Sequence, residues 1–144
     1  MNSEDRPPLD LRLIGAEHVA RYRETGGEEG YIWNGVPTLI LATRRRNGEA
    51  RDVPLIFGVD GDRLVVVASV GGGPKNPWWY RDIERDGHVR VQIRDRVFDA
   101  TARTAVGAER DRLWALMNVV WPSYDVYQSR TERVIPVVVL EPVR

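Results

Sequence analysis

Apolar and polar residues fall in short blocks along this chain, separated by turns rich in glycine and asparagine, which is a rhythm of strands more than of long helices. Residues 37–43 predict a first strand. Asn47-Gly48, after Arg44-Arg45-Arg46, predicts a tight hairpin into a second strand from about Arg51 to Phe57. Asp60-Gly61 turns the chain into a third over 63–69, whose Val65-Val66-Val67-Ala68 run suits a strand covered on both faces. Residues 88–93 alternate polar and apolar, Arg94-Asp95-Arg96 turns into 97–104, and a last strand over 134–140 has Val137-Val138-Val139 as its buried centre.

Helical periods fill the gaps. Asn76 stands where an N-cap belongs, Pro77 at the first helical position, and Gly87 where the helix should stop. A second helix is expected over 107–120, with Leu113, Leu116, Met117 and Val120 as its buried stripe and Pro122 beyond its end. Leu11, Leu13, Ile14 and Val19 to Tyr22 make a short amphipathic helix. The first eight residues read as a tail, and Gly26-Gly27-Glu28-Glu29-Gly30 as a flexible link with no reason to fold. The expected layout is an N-terminal tail and short helix over 1–30, then one domain over 31–144. Its class is mainly β (α+β): about six mostly antiparallel strands with two or three helices, closing into a small or split β-barrel.

Composition narrows the chemistry. With 21 basic and 21 acidic side chains, nothing calls for wholesale binding to nucleic acid, so any anion site must be local. The absence of cysteine removes disulfides, thiolate metal sites and cysteine nucleophiles, and two histidines are too few for a histidine-rich metal centre. No segment has the length or apolarity of a membrane span. A soluble cytoplasmic protein is expected, with peripheral membrane contact through the first helix left open.

Two constellations carry the candidate chemistry. The corner Gly71-Gly72-Gly73-Pro74-Lys75-Asn76 offers bare backbone and one cation at a helix start, and the arginine hairpin would complete an anion clamp if the fold brings it alongside. Trp121, Tyr124 and Tyr127 recur every three residues and would share one face of a helical turn, as a pocket wall or as core packing. Trp79 and Ile83 should pack inward and Trp78 elsewhere. His18 and His88 build no Ser–His–acid arrangement and are expected to be structural or exposed. An anion clamp and an aromatic pocket without an evident catalyst imply that a cofactor brings the chemistry.

In residues 66–80, in Trp121-Pro122-Ser123-Tyr124-Asp125-Val126-Tyr127-Gln128-Ser129-Arg130-Thr131 and in residues 135–142, the chain resembles the deazaflavin-dependent nitroreductases, split-barrel (FMN-binding-like) proteins that use coenzyme F-420. The resemblance implies that Arg45, Arg46, Gly71, Gly72 and Lys75 hold the cofactor's phosphate and acidic tail, that Trp78 and Trp79 line the deazaflavin, and that Ser69 lies close to the reactive ring. It implies further that Tyr124 and Tyr127 close over the substrate, with Trp121 where a tyrosine often stands. Ser69, Tyr124 and Tyr127 are thus the candidate catalytic residues. Val70 replaces a lysine usual in the family and Asn76 a histidine, so one cation is lost. The implied function is hydride transfer from reduced coenzyme F-420 to a quinone, enone or nitroaromatic acceptor. The alternatives are an FMN-dependent reductase of the same barrel class, or a non-catalytic cofactor- or lipid-binding protein. The implied partner is a small-molecule substrate, with no nucleic acid, and the protein would be a monomer or homodimer.

Overall fold

The computed structural model describes residues 13–143. In chain order these form α1 (Gly15–Thr25), β1 (Ile32–Trp33), β2 (Val36–Arg44), β3 (Ala50–Ile56), β4 (Gly58–Asp60), β5 (Arg63–Val67), α2 (Trp78–Arg85), β6 (His88–Ile93), β7 (Arg96–Thr104), α3 (Gly107–Val120), α4 (Ser123–Ser129) and β8 (Val137–Pro142). Strands β2, β6, β7, β8, β5 and β4 are neighbours in that order, and both β1 and β3 pair with β2. Every pairing is antiparallel. The sheet curls into a split β-barrel with helices packed outside it.

Side-chain alternation divides this one sheet between two cores. On β5 and β8, Leu64, Val66, Val138 and Leu140 point into the barrel with Leu39, Leu41, Val89 and Val91. Val65, Val67, Val137 and Val139 point the other way, under Leu113 and Met117 of α3 and Tyr124 of α4. The continuous valine runs are therefore covered on both faces, as their composition predicts. The same alternation, carried past the end of β5, leaves Ser69 on the side of Val65 and Val67, outside the barrel.

Several local expectations give way. Among the described residues there are eight strands where about six are expected; the additions, β1 and β4, have two and three residues, too short for an alternation to register. The third strand ends at Val67, and Ser69 begins a 3-10 turn over Val70–Gly72. Pro77, not Asn76, occupies the N-cap of α2, with extended backbone, and Asn76 turns its side chain to Arg133 instead. Helix α2 ends at Asp86 in extended backbone, so Gly87 supplies no left-handed cap.

The link at 26–30 is folded. Gly27 and Gly30 are buried, and a Cβ on Gly27 would sit 2.6 Å from Arg94 Cα at a φ of +84°. Tyr22 of α1 is fully buried; its hydroxyl donates to the Thr38 carbonyl and accepts from the Arg94 amide. These contacts hold α1 on the barrel. The expected tail at 1–8, and Leu11 of the first helix, lie outside the described residues.

Candidate functional site

A cavity of about 280 Å³ opens between α1, β3, the end of β5 and α4. That is just below the usual range of small-molecule sites, about 300–1,000 Å³. Trp33, Trp121, Tyr124 and Tyr127 form its aromatic wall, Pro54, Leu55, Ile56 and Val67 its aliphatic one, and Ser69 and Gly71 bring the glycine corner to its edge. Five of the expected site residues, Ser69, Gly71, Trp121, Tyr124 and Tyr127, thus meet around one space. Tyr124 and Tyr127 share α4, while Trp121 caps the end of α3.

The polar atoms here are arranged to donate. Trp121 Nε1 donates to the Tyr127 hydroxyl at 3.3 Å, which leaves the phenol's own hydrogen free. The Tyr127 ring stands edge-on to that of Tyr124, 6.0 Å between centroids. Tyr124 is 4% exposed, and its hydroxyl has no hydrogen-bond partner among the described residues. Among the described residues no enclosed polar side-chain atom is unsatisfied, so that hydroxyl opens onto the cavity. Burial pushes the Tyr124 phenol well above its ordinary pKa, with Tyr127 adding to the effect, so it stays protonated.

The glycine corner is built against α4. Gly71 (φ +60°) has nothing within 4 Å of where a Cβ would stand, so its backbone is bare. Gly72 (φ +81°) is different: a Cβ there would overlap the Tyr127 carbonyl. The missing side chain at Gly72 therefore admits α4, not a ligand. Val70 adopts φ +47°, an unusual left-handed conformation for a β-branched residue, and is exposed.

One side chain that sequence reasoning passed over holds the corner in place. Arg133, between α4 and β8, donates to the carbonyls of Gly73 (2.8 Å), Ala68 (3.2 Å) and Ser69 (2.6 Å), and to Asn76 Oδ1 (2.8 Å). These partners are 57 to 65 residues away in sequence, so no local signal marks them.

The expected cations lie outside the cavity. Arg45 and Arg46 are exposed at the β2–β3 hairpin, Lys75 is exposed in the corner, and among the described residues none of these three side chains has a hydrogen-bond or ion-pair partner. The hairpin is joined to α2 at its base. Asp82, 1% exposed, accepts from Thr43 Oγ1 (2.7 Å), from Arg51 Nε and Nη2 (2.7 Å each) and from Arg85 Nη2 (2.9 Å). Burial pushes this carboxyl up, but the bonds from Arg51, Thr43 and Arg85 outweigh it and hold the pKa at about 2. Arg51 also lies over the half-exposed ring of Trp78, 4.3 Å from its centroid. Trp79 is 3% exposed within the barrel core, with Ile83 beside it. The structure therefore gathers hairpin, Trp78 and α2 on one flank, and Trp79 into the interior.

Comparison with known proteins identifies the family. The profile of the family described as F420H(2)-dependent quinone reductase matches residues 14–142. An F420H(2)-dependent quinone reductase of Mycobacterium tuberculosis is 37% identical over 128 residues, covering 85% of this chain and 86% of that one. A solved F420-H2 dependent reductase is 38% identical with a TM-score of 0.69, covering 73% of this chain and 94% of that one. A second solved relative, a domain-swapped dimer, is 36% identical with a TM-score of 0.72, covering 87% and 95%. A Vibrio cholerae heme storage protein, 15% identical with a TM-score of 0.57, shares the fold alone. Together with the split barrel and the cavity beside its glycine corner, these matches establish that the chain belongs to the F420H(2)-dependent quinone reductase family.

Proposed function

We propose that the protein is a deazaflavin-dependent oxidoreductase that reduces a quinone, enone or nitroaromatic acceptor at the expense of reduced coenzyme F-420. The observation that carries this reading is the bare Gly71 backbone at the edge of an aromatic cavity that Ser69 and Tyr124 also line. The residues fit the cofactor class: an uncovered backbone, three cations without partners among the described residues and an aromatic wall suit an anionic tail joined to a ring system. When bound, the reduced deazaflavin supplies the hydride.

The chain's own work is placement and proton supply. Arg45, Arg46 and Lys75 would hold the phosphate and acidic tail, Gly71 would let backbone approach it, and Trp78 would flank the ring, while Gly72 seats α4 and Trp79 backs the site from the barrel core. Trp121, Tyr124 and Tyr127 would align the acceptor and keep water out, which sets the reacting atoms at short range. The proton that completes the reduction comes from the Tyr124 hydroxyl, from Ser69 or from water. The high pKa of Tyr124 keeps its proton in place until negative charge develops on the acceptor oxygen.

Binding tests the clamp. The double variant Lys75→Ala with Arg46→Ala should weaken coenzyme F-420 binding by about 10- to 100-fold, since each exposed charge pair is worth roughly 1 kcal/mol and the tail is multiply charged. Fluorescence titration reads this directly, and unchanged affinity would remove both residues from the clamp. A flavin mononucleotide reductase is the second reading, because Val70 leaves one cation fewer; protein purified yellow with bound flavin would favour it. A relative solved as a domain-swapped dimer supports a homodimer here. Among the described residues, no helix is long and apolar enough to cross a membrane.

A further inference from the structure

We propose that His18 determines acceptor specificity: its Nδ1 accepts a hydrogen bond from a hydroxyl on the acceptor, so the cavity favours hydroxyl-bearing quinones. This inference rests on the reductase reading above. Helix α1 closes one side of the cavity with Ile14, Gly15 and His18. His18 is 3% exposed, and its Nε2 lies 2.7 Å from the Gly30 carbonyl and 3.5 Å from Thr38 Oγ1. A carbonyl can only accept, so Nε2 carries the hydrogen, and in the neutral ring Nδ1 is then a bare lone pair.

The packing turns that lone pair away from Gly30. A Cβ on Gly30 would stand 2.8 Å from His18 Cδ2 and 3.0 Å from Nε2, so this edge of the ring faces the glycine and the Nδ1 side faces away. Among the described residues Nδ1 has no partner, and no enclosed polar side-chain atom is left unsatisfied. The open space beside His18 is the cavity it lines. The titratable neighbour packed on the ring is Tyr22, 6.3 Å between centroids, and its hydroxyl is engaged with Thr38 and Arg94. Of the other hydroxyls around the cavity wall, that of Thr38 is spent on the Gly30 and Tyr31 carbonyls, while those of Ser69, Tyr124 and Tyr127 can donate and suit carbonyl or nitro oxygens. His18 Nδ1 is the complement: it suits an O–H. A site built to bond a hydroxyl discriminates against the analogue that lacks it.

A matched pair of acceptors tests this: 2-methyl-1,4-naphthoquinone and its 2-hydroxymethyl counterpart. Binding to the cofactor-free protein is read by quenching of tryptophan fluorescence, since Trp33 and Trp121 line the cavity. Turnover is read with reduced coenzyme F-420. The wild type should favour the hydroxymethyl compound by about tenfold in Kd and in kcat/KM, the worth of one hydrogen bond. His18→Gln keeps an amide N–H for the Gly30 carbonyl, and with that bond made its acceptor oxygen falls on the former Cδ2 side, so the lone pair at the Nδ1 position is lost. It should hold the melting temperature and bring the preference to within about twofold. A wild type without preference overturns the proposal, as does a glutamine variant that keeps it. Preference in binding without turnover would instead refute the reductase reading and leave His18 its role. Turnover without preference would refute His18 alone.

Discussion

Arg133→Ala should lower coenzyme F-420 affinity by at least about tenfold and the melting temperature by about 10 °C, through the glycine corner and with no contact to the cofactor required. The guanidinium bonds three backbone carbonyls and Asn76 Oδ1, and these acceptors come from both sides of the Val70–Gly72 turn. Hydrogen bonds to a charged donor contribute roughly 1.5–3 kcal/mol each and are not additive, so the net loss is set at about 3 kcal/mol. The corner needs such a latch because Val70, Gly71 and Gly72 all hold positive φ, and Val70 is strained there. Arg133→Lys keeps the charge but lacks the planar fork, and should recover stability only in part. Gln128 seats the same loop by donating to the Arg133 carbonyl and accepting from the Ile135 amide, so the alanine variant should lose the corner and not the fold of β8. Calorimetry paired with cofactor titration checks both halves. Full affinity in Arg133→Ala would show that the corner holds its shape without the arginine.

Asp82→Asn should destabilise the protein by about 3 kcal/mol, because it removes the counter-charge of Arg51 from a buried site while leaving the hydroxyl of Thr43 a partner. The same carboxylate gives the fold an acid limit. Its pKa falls from the ordinary 3.8 to about 2 on folding, so its contribution is complete above about pH 4 and is lost as pH drops toward 2. A depression of that size corresponds to about 2 kcal/mol. Urea unfolding of wild type and Asp82→Asn between pH 5 and 2 checks the sign: the two stabilities should converge as the pH falls. Parallel curves would mean that Asp82 is not the group that titrates. The change reaches the site as well, since Arg51 lies over Trp78. Freed from Asp82, the guanidinium no longer fixes that ring, and the emission of Trp78 should shift.

What could be read from sequence is what repeats over a few neighbours. The valine runs of β5 and β8 declare burial on both faces because every position is apolar, and the Tyr124–Tyr127 spacing declares a shared face because one helical turn suffices. The positions of single long-range bonds leave no such trace. Asp82 is one of 21 acidic side chains and Arg133 one of 21 basic ones until the fold brings each to partners some 30 to 65 residues away. The segment 26–30 looked unstructured because its order comes from His18, Thr38 and Arg94, none of them within it. Asn76 was a sound N-cap by type, yet Arg133 captures its side chain, and a tertiary bond overrides the local preference.

The central claim is tested most directly by mixing the purified protein with reduced coenzyme F-420 and menadione without oxygen, and following reoxidation of the cofactor. Catalysed oxidation that saturates in both partners is the expected result. Tight cofactor binding with no oxidation of the reduced form by menadione or by a nitroimidazole would contradict a reductase and leave a protein that only carries the cofactor.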